Sequence, residues 1–285
     1  MANTTITNAA TTKTTLILGG TGKTGRRVAD RLSARGLAVR IGSRSSQPAF
    51  DWENQATWAA ALQGVTQVYV TYYPDVAAPG ASDAIRAFCK AAKAARIQRL
   101  VLLSGRGEPE AQISEQIVRD AGIDWTIVRA SWFAQNFSEA FMVDGVRSGE
   151  LVLPASHVGE PFIDVDDIAD VVTSALTEAG HSRTLYEVTG PRLLTFADAV
   201  QEIAEALDRP IQFVQVSAED YAAGMKDSGV PPEVVSLVSY LFTEVLDGRN
   251  AHVTDGVRQA LGRPARDFAE YARDAAATGV WSARA

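Results

Sequence analysis

Seven residues near the amino end, Gly19-Gly20-Thr21-Gly22-Lys23-Thr24-Gly25, restrict the fold of this chain more than any other segment. They follow Thr14 to Leu18, a short β-favouring run. Beyond them Val28, Ala29 and Leu32 recur at helical spacing until Arg35-Gly36. The pattern predicts strand, glycine loop and helix. Gly20-x-Gly22-x-x-Gly25 has the spacing of a dinucleotide-binding turn, and Gly19-x-x-Gly22-x-x-Gly25 that of a close variant. Such glycines allow a tight turn, let backbone amides approach a pyrophosphate and let the helix pack on its strand. The expectation is that all seven residues, 19 to 25, cradle that anion at the helix N-terminus.

Gly22-Lys23-Thr24 is also the ending of a P-loop. That motif needs a glycine five positions before its second glycine, where this chain has Ile17, inside the strand. So short a loop cannot wrap a triphosphate. About 20 positions beyond the first glycine, NAD sites usually carry an acid for the ribose 2′-hydroxyl. Here the stretch reads Arg40-Ile41-Gly42-Ser43-Arg44, without a carboxylate. Arg44 offers a permanently charged fork to a 2′-phosphate and Ser43 a hydroxyl, the alternative being a solvated loop arginine. NADP(H) is therefore the expected cofactor.

A strand from Ala38 to Ile41, a short helix near Thr57 to Leu62 and a strand from Val68 to Thr71 complete a βαβ unit. The next helix, Ser82 to Ala95, lines Ala84, Ile85, Phe88, Ala92 and Ala95 along one face and feeds Leu100-Val101-Leu102-Leu103. That unbroken apolar run suits a parallel strand covered on both sides. A helix carrying Ile113, Ile117 and Val118 stops at Gly122, before a strand from Trp125 to Val128. The alternation predicts an α/β fold of Rossmann type, a doubly wound parallel sheet over residues 14–150. Past residue 134 it loosens into a helix near Asn136 to Val146, a strand near Tyr186 to Thr189 and helices at Phe196 to Leu207, Glu233 to Leu246 and Arg266 to Ala276. Residues 151–285 are thus expected to form a smaller C-terminal α/β lobe, packed on the first domain and partly interleaved with it, with a cleft between.

Composition closes other routes. No apolar run approaches the roughly 20 residues of a membrane helix. Acids outnumber bases, 34 to 27, for a net charge of −7, and no Lys/Arg block tracks a phosphate backbone, so neither membrane nor direct nucleic-acid partners are expected. A single cysteine, Cys89, leaves no disulfide framework and no cysteine-based zinc cluster, which fits a reducing cytoplasm. Residues 1–13 are polar, lack the pattern of a secretory signal and suggest a frayed tail. Asp164, Asp166, Asp167 and Asp170 invite a metal reading, but acids in the first turn of a helix whose Ile168, Val171 and Val172 face inward satisfy free amides. Thr195-x-x-Asp198 is a second N-cap pattern, and His157, His181 and His252 stand alone. No metal is expected.

In open α/β sheets, ligands sit beyond the carboxyl ends of the strands. Those ends carry Thr71-Tyr72-Tyr73-Pro74, Ser104-Gly105-Arg106-Gly107 and Ala130-Ser131-Trp132-Phe133, with Gln135 and Asn136 just beyond. Thr71, Tyr72, Ser104, Gly105, Ala130 and Ser131 are expected beside the cofactor. Tyr72, Tyr73, Trp132 and Phe133 would then form an aromatic wall for a planar substrate, with Asn136 near it, though such rings are also ordinary core material. Arg106 would hold a developing oxyanion or else pair with Glu108. None of the seven tyrosines has lysine four residues later, and no lysine lies between Lys93 and Lys226. The usual Tyr-x-x-x-Lys proton donor of carbonyl reduction is missing.

The chain resembles the NmrA-like atypical short-chain dehydrogenases. The resemblance rests on Leu16 to Gly25, Leu100 to Gly105, Ser114-Glu115, Gly122 to Arg129, Trp132 to Phe137, Asp164 to Asp170, and Gly256-Val257 with Gly262-Arg263-Pro264. It spans nearly the whole chain. It implies a serine, Ser104, near the nicotinamide, the alternative being a cap on the turn before Gly105, and a Ser-Glu pair in which Glu115 orients the site or faces solvent; these two are the catalytic candidates. Members include NADPH-dependent quinone reductases, triphenylmethane dye reductases and proteins that sense NADP(H) and act on a protein partner. The implied reaction is hydride transfer to a quinone-like or other conjugated aromatic small molecule, with tailoring of a secondary metabolite as one setting; such acceptors need no concerted protonation. Monomer and homodimer are both left open.

Overall fold

The structure, a computed structural model, describes residues 13–155 and 157–282. Eight strands follow in order: β1 (Thr14–Leu18), β2 (Val39–Gly42), β3 (Val65–Val70), β4 (Arg99–Gly105), β5 (Asp124–Ala130), β6 (Glu150–Leu153), β7 (Thr184–Val188) and β8 (Gln212–Gln215). Six form one sheet in the order β2-β1-β3-β4-β5-β7, all pairings parallel. β6 and β8 pair separately. The tail reading of residues 1–13 lies, except for Lys13, outside the described residues.

Successive side chains of a strand point to opposite faces, and the two faces here feed two cores. Leu16, Val68 and Leu100 stand in register across β1, β3 and β4 and pack with Ile85, Phe88, Ile117 and Val118 of the helices Ala81–Ala94 and Pro109–Asp120. Ile17, Tyr69 and Val101, one residue along, meet Val28 and Leu32 of the helix Lys23–Ala34 and Ile168, Val171 and Val172 of the helix Val165–Thr177. Helices on both faces are why the strands are apolar runs instead of alternations. A third core lies in the C-terminal half, where Phe137, Phe162, Phe196 and Phe268 interlock.

Chain order places the site. From β1 the chain runs to β2 on one side and then crosses to β3 on the other, so the connections leaving β1 and β3 diverge at their carboxyl ends. A crevice opens at such a switch point.

Three local expectations need correction. Ile113 is 51% exposed, because the buried face of its helix runs through Ala111, Ser114, Glu115 and Val118, at helical spacing from 111. The helix expected from Asn136 to Val146 is two, Asn136–Glu139 and Val143–Ser148, parted by Ala140 in extended conformation. The helix expected to reach Leu246 ends at Tyr240 and passes into a π-turn, Leu241–Val245. Among the described residues, no helix is long and apolar enough to cross a membrane.

Candidate cofactor and substrate site

The glycine loop leaves β1 with Gly19 at φ 62°, a left-handed conformation in which its amide donates to Gly42 O at 3.0 Å. Gly22 donates to Gly19 O at 2.8 Å and becomes the N-cap of the helix. A Cβ at Gly25 would collide with the Gly19 carbonyl, so the helix can seat against the turn only with glycine there. No side chain caps this helix and no acid lies in its first turn. Its first amides are left free, the condition for holding a phosphate.

Behind the loop, Lys23 Nζ donates to Asn136 Oδ1 at 3.0 Å. Burial, with the charges of Arg26 and Arg27, outweighs Glu139 and keeps the Lys23 ammonium below its ordinary pKa. Arg27 donates to Glu139 at 2.7 Å, and Arg26 pairs with the same carboxylate. The segment after β5 is thereby tied to the glycine loop, and Asn136 faces Lys23. Thr24 and Gly25 are buried, whereas Thr21 and Gly22 are exposed.

Thr71, just past β3, donates to Leu18 O at 2.9 Å, bridging the two strands of the switch point. At the β2 end Arg44 is exposed and makes no ion pair or hydrogen bond among the described residues. Arg40, by contrast, is committed to Ala61 O and Gln63 O at 2.7 and 2.6 Å. The Ser43 hydroxyl lies 3.3 Å from that of Ser45. Free amides at one end and an unpaired guanidinium at the other fit a dinucleotide with a phosphorylated ribose.

The strand ends nearer the C-terminal half carry a chain of buried polar contacts. Ser104 Oγ donates to Glu115 Oε1 at 2.7 Å. Arg129 holds both oxygens of Glu115, at 2.8 and 2.6 Å, and reaches Glu187. Arg106 donates to Glu187 at 2.7 Å and to Asn250 O at 2.8 Å. Ser104 therefore does not cap the turn before Gly105, Glu115 does not face solvent, and Arg106 pairs with Glu187 in place of Glu108. Arg106 also donates its amide to Ala130 O at 3.0 Å, while Ser131 Oγ donates to Pro161 O at 2.6 Å. Gly105 closes β4.

The aromatic wall is not continuous. Tyr72 packs on Trp52 with ring centroids 5.0 Å apart, and Tyr73 is 78% exposed. Trp132 joins Phe196 and Phe242 in the third core, at 5.3 and 5.1 Å, whereas Phe133 bridges to Ile163 and packs with the sheet. Consecutive residues leaving a strand diverge, which separates each expected pair.

Acids that the sequence reading did not assign to the site lie at the same strand ends. Glu108 and Glu160 are buried, each with one carboxylate oxygen lacking a partner, and Arg106 Nη2 is equally unpartnered. Burial pushes Glu160 up to about 7, against the Trp132 amide and the Arg106 charge. Glu108 is pushed up to about 8 by burial, then by Asp75 and Glu110. Asp75 itself is raised by burial although it accepts from the Ala77 amide. Glu108 carries one sequence signal, its position three residues past the buried strand β4; Glu160, seven residues past β6, carries none.

The acidic run at 164–170 is saturated by protein. Asp164 caps its helix through the Asp166 amide and accepts from Gln135, both at 2.7 Å. Asp166 and Asp170 pair with Arg31, and Asp167 with Arg263 and Arg266. Thr195 and Asp198 form the expected capping box. His181, expected to stand alone, lies between Ser174 and Tyr186 at 3.1 and 2.8 Å.

A family model described as NAD(P)H-binding matches residues 19–112. The chain is 31% identical to the uncharacterized oxidoreductase YesF of Bacillus subtilis (strain 168), over 94% of this chain and 97% of that one. It is also 31% identical to an NAD(P)H azoreductase of Xenophilus azovorans, covering 92% of this chain and 98% of the relative. Among solved structures, an NADPH-dependent quinone oxidoreductase of Escherichia coli in complex with NADPH is similar, with a TM-score of 0.73, 21% identity, and 91% and 99% of the two chains covered.

Proposed function

Because the chain belongs to a family of NAD(P)H-binding oxidoreductases, we propose that it passes hydride from NADPH to a quinone-like or other conjugated aromatic acceptor. When bound, the dinucleotide supplies the hydride. The free first-turn amides after Gly22 hold the pyrophosphate, and Arg44 with Ser43 selects the ribose 2′-phosphate. Thr71, Tyr72, Ser104, Gly105, Ala130 and Ser131 flank the dinucleotide along the strand ends. Residues 14–150 carry it, and residues 151–285 close the acceptor side.

One observation carries the choice of acceptor. The Ser104 hydroxyl is spent on Glu115, and no Tyr-x-x-x-Lys pair exists in the chain. A simple carbonyl would find no tyrosine donor of the usual kind, whereas a conjugated acceptor spreads the incoming electron pair and can take its proton from a different acid. The azoreductase relative supports an acceptor of this kind. The test follows NADPH absorbance while quinones and azo dyes are offered. Oxidation of NADPH ahead of NADH is expected; tight NADPH binding with no acceptor reduced would point instead to a cofactor-sensing regulator.

A further inference from the structure

Three unpartnered polar atoms cluster around the carboxyl ends of β4 and β5: Arg106 Nη2, Glu160 Oε2 and Glu108 Oε1. Two belong to groups already held. Arg106 is anchored by Glu187 and Asn250, and Glu160 accepts from the Trp132 amide at 3.3 Å with the Arg106 charge nearby. Glu108 differs. It is 3% exposed, yet among the described residues no hydrogen bond or ion pair engages its carboxyl group.

Its position makes this more telling. Glu108 is the N-cap of the helix Pro109–Asp120, where an acid would ordinarily accept from first-turn amides, but it makes no cap bond. The carboxyl instead folds back over Gly105, where a Cβ would stand 2.7 Å from Glu108 Cδ. Glycine at the last residue of β4 leaves that space open, and a larger residue there would push the carboxyl aside. The side chain thus gives up a capping bond to lie over the strand end that begins with Ser104.

We propose that Glu108 is a catalytic residue, the carboxylic acid that protonates the acceptor as hydride arrives. The inference rests on the reductase reading above. In the step, the C–H bond of the reduced nicotinamide breaks and its hydride joins the acceptor. The Glu108 O–H bond breaks as an N–H or O–H bond forms on the acceptor, and the carboxylate regains a proton from water. The acceptor gains two electrons and two hydrogens in all, and NADPH is oxidised to NADP+.

The surroundings suit an acid that stays protonated near neutrality. Asp75 faces Glu108 from the loop after β3, and Glu110 lies on its own helix. From the helix Pro232–Tyr240 comes Tyr240, which is raised by burial and then by Glu108, Glu110 and Asp75, with Arg249 opposing. Among the described residues, no cation is paired with the Glu108 carboxyl to hold it ionised.

The test compares the full-length wild type with E108Q and E108D, using a neutral azo dye and a cationic triphenylmethane dye. The carbocation takes hydride alone and needs no proton. With the azo dye, wild-type kcat is expected to fall as pH rises through about 8. E108Q should lose roughly 100-fold in kcat at pH 7 and with it that limb, and E108D should retain the limb. Reduction of the cationic dye and NADPH affinity should be almost unchanged. Infrared difference spectra, independent of turnover, should show a protonated carboxyl band at pH 7 that E108Q removes. Equal losses with both dyes, a limb surviving in E108Q, or no such band would overturn the assignment. If wild type oxidises NADPH with no acceptor, the reductase reading fails and the proton donor with it; if only the E108Q expectations fail, the reductase reading stands.

Discussion

Ser104 and Glu115 form a buried hydrogen bond of 2.7 Å, and Arg129 occupies the other side of the same carboxylate. The serine hydroxyl is therefore engaged with its own scaffold. Ser104→Ala should cost about 1 kcal/mol, the usual worth of one such bond, and lower kcat less than tenfold. Glu115→Ala leaves Ser104 unmatched and Arg129 with Glu187 alone, at 3.4 Å, and should cost about 3–5 kcal/mol. Denaturant unfolding alongside steady-state kinetics checks both. A hundredfold loss of kcat in Ser104→Ala at unchanged stability would show the hydroxyl acting on the acceptor.

Arg44, two residues past β2, is exposed and has no partner among the described residues, so removing it breaks no contact of the fold. Its loss should appear in cofactor choice. A charge-assisted hydrogen bond contributes about 1.5–3 kcal/mol, so Arg44→Ala should weaken NADPH binding roughly 10- to 100-fold and leave NADH within about twofold. Calorimetry with both reduced cofactors measures this. Equal weakening of the two would place the guanidinium away from the 2′-phosphate.

Asp167 is fully buried and accepts from the guanidinium groups of Arg263 and Arg266 at 2.7 and 2.5 Å and from the Arg266 amide at 2.7 Å. Asp167→Ala would leave the Arg266 amide unmatched and Arg263 and Arg266 with Asp170 as their remaining partner, and a loss of about 1–3 kcal/mol is expected. Arg35 and Glu178, both largely exposed at 3.5 Å, provide the contrast, since breaking an open pair should cost under about 1 kcal/mol. Urea unfolding of Asp167→Ala and Arg35→Ala decides it. Similar costs would mean that burial does not govern the strength of this charge network.

The parts of the molecule that were legible in the sequence are those with one strong local cause. Gly19, left-handed, and Gly25, pressed against the Gly19 carbonyl, fix a turn that a side chain would disrupt, and the run Leu100-Val101-Leu102 matches a strand covered on both sides. The cap at Asp164 and the capping box at Thr195 follow from side chains two and three residues from the amides they satisfy. What escaped notice depends on residues brought together from afar. β6 and β8 are four residues each and meet across 58 positions of intervening sequence. The Arg106–Glu187 pair spans 81 positions, so the local alternative at Glu108 looked equally good. Burial of Glu108 and Glu160 arises from packing of the C-terminal half over the strand ends, which nothing in their immediate neighbours announces.

Glu160 makes the protein's stability depend on pH in a definite direction. Burial raises its carboxyl from the ordinary value of 4.5 to about 7, with the Trp132 amide and Arg106 only partly opposing. Between those two values the folded chain keeps a proton that the unfolded chain has lost, so this group's contribution to stability falls as pH rises through the window. Above about 7 the folded state carries a buried carboxylate with one oxygen unpartnered. At 1.36 kcal/mol per unit of pKa, the full change is on the order of 3 kcal/mol. Glu160→Gln removes the titration whatever its constant effect on packing. The stability difference between variant and wild type should therefore shift in the variant's favour by up to about 3 kcal/mol from pH 5 to pH 8. Urea unfolding across that range tests it, and parallel curves for the two proteins would show that Glu160 is already ionised in the folded state at pH 5.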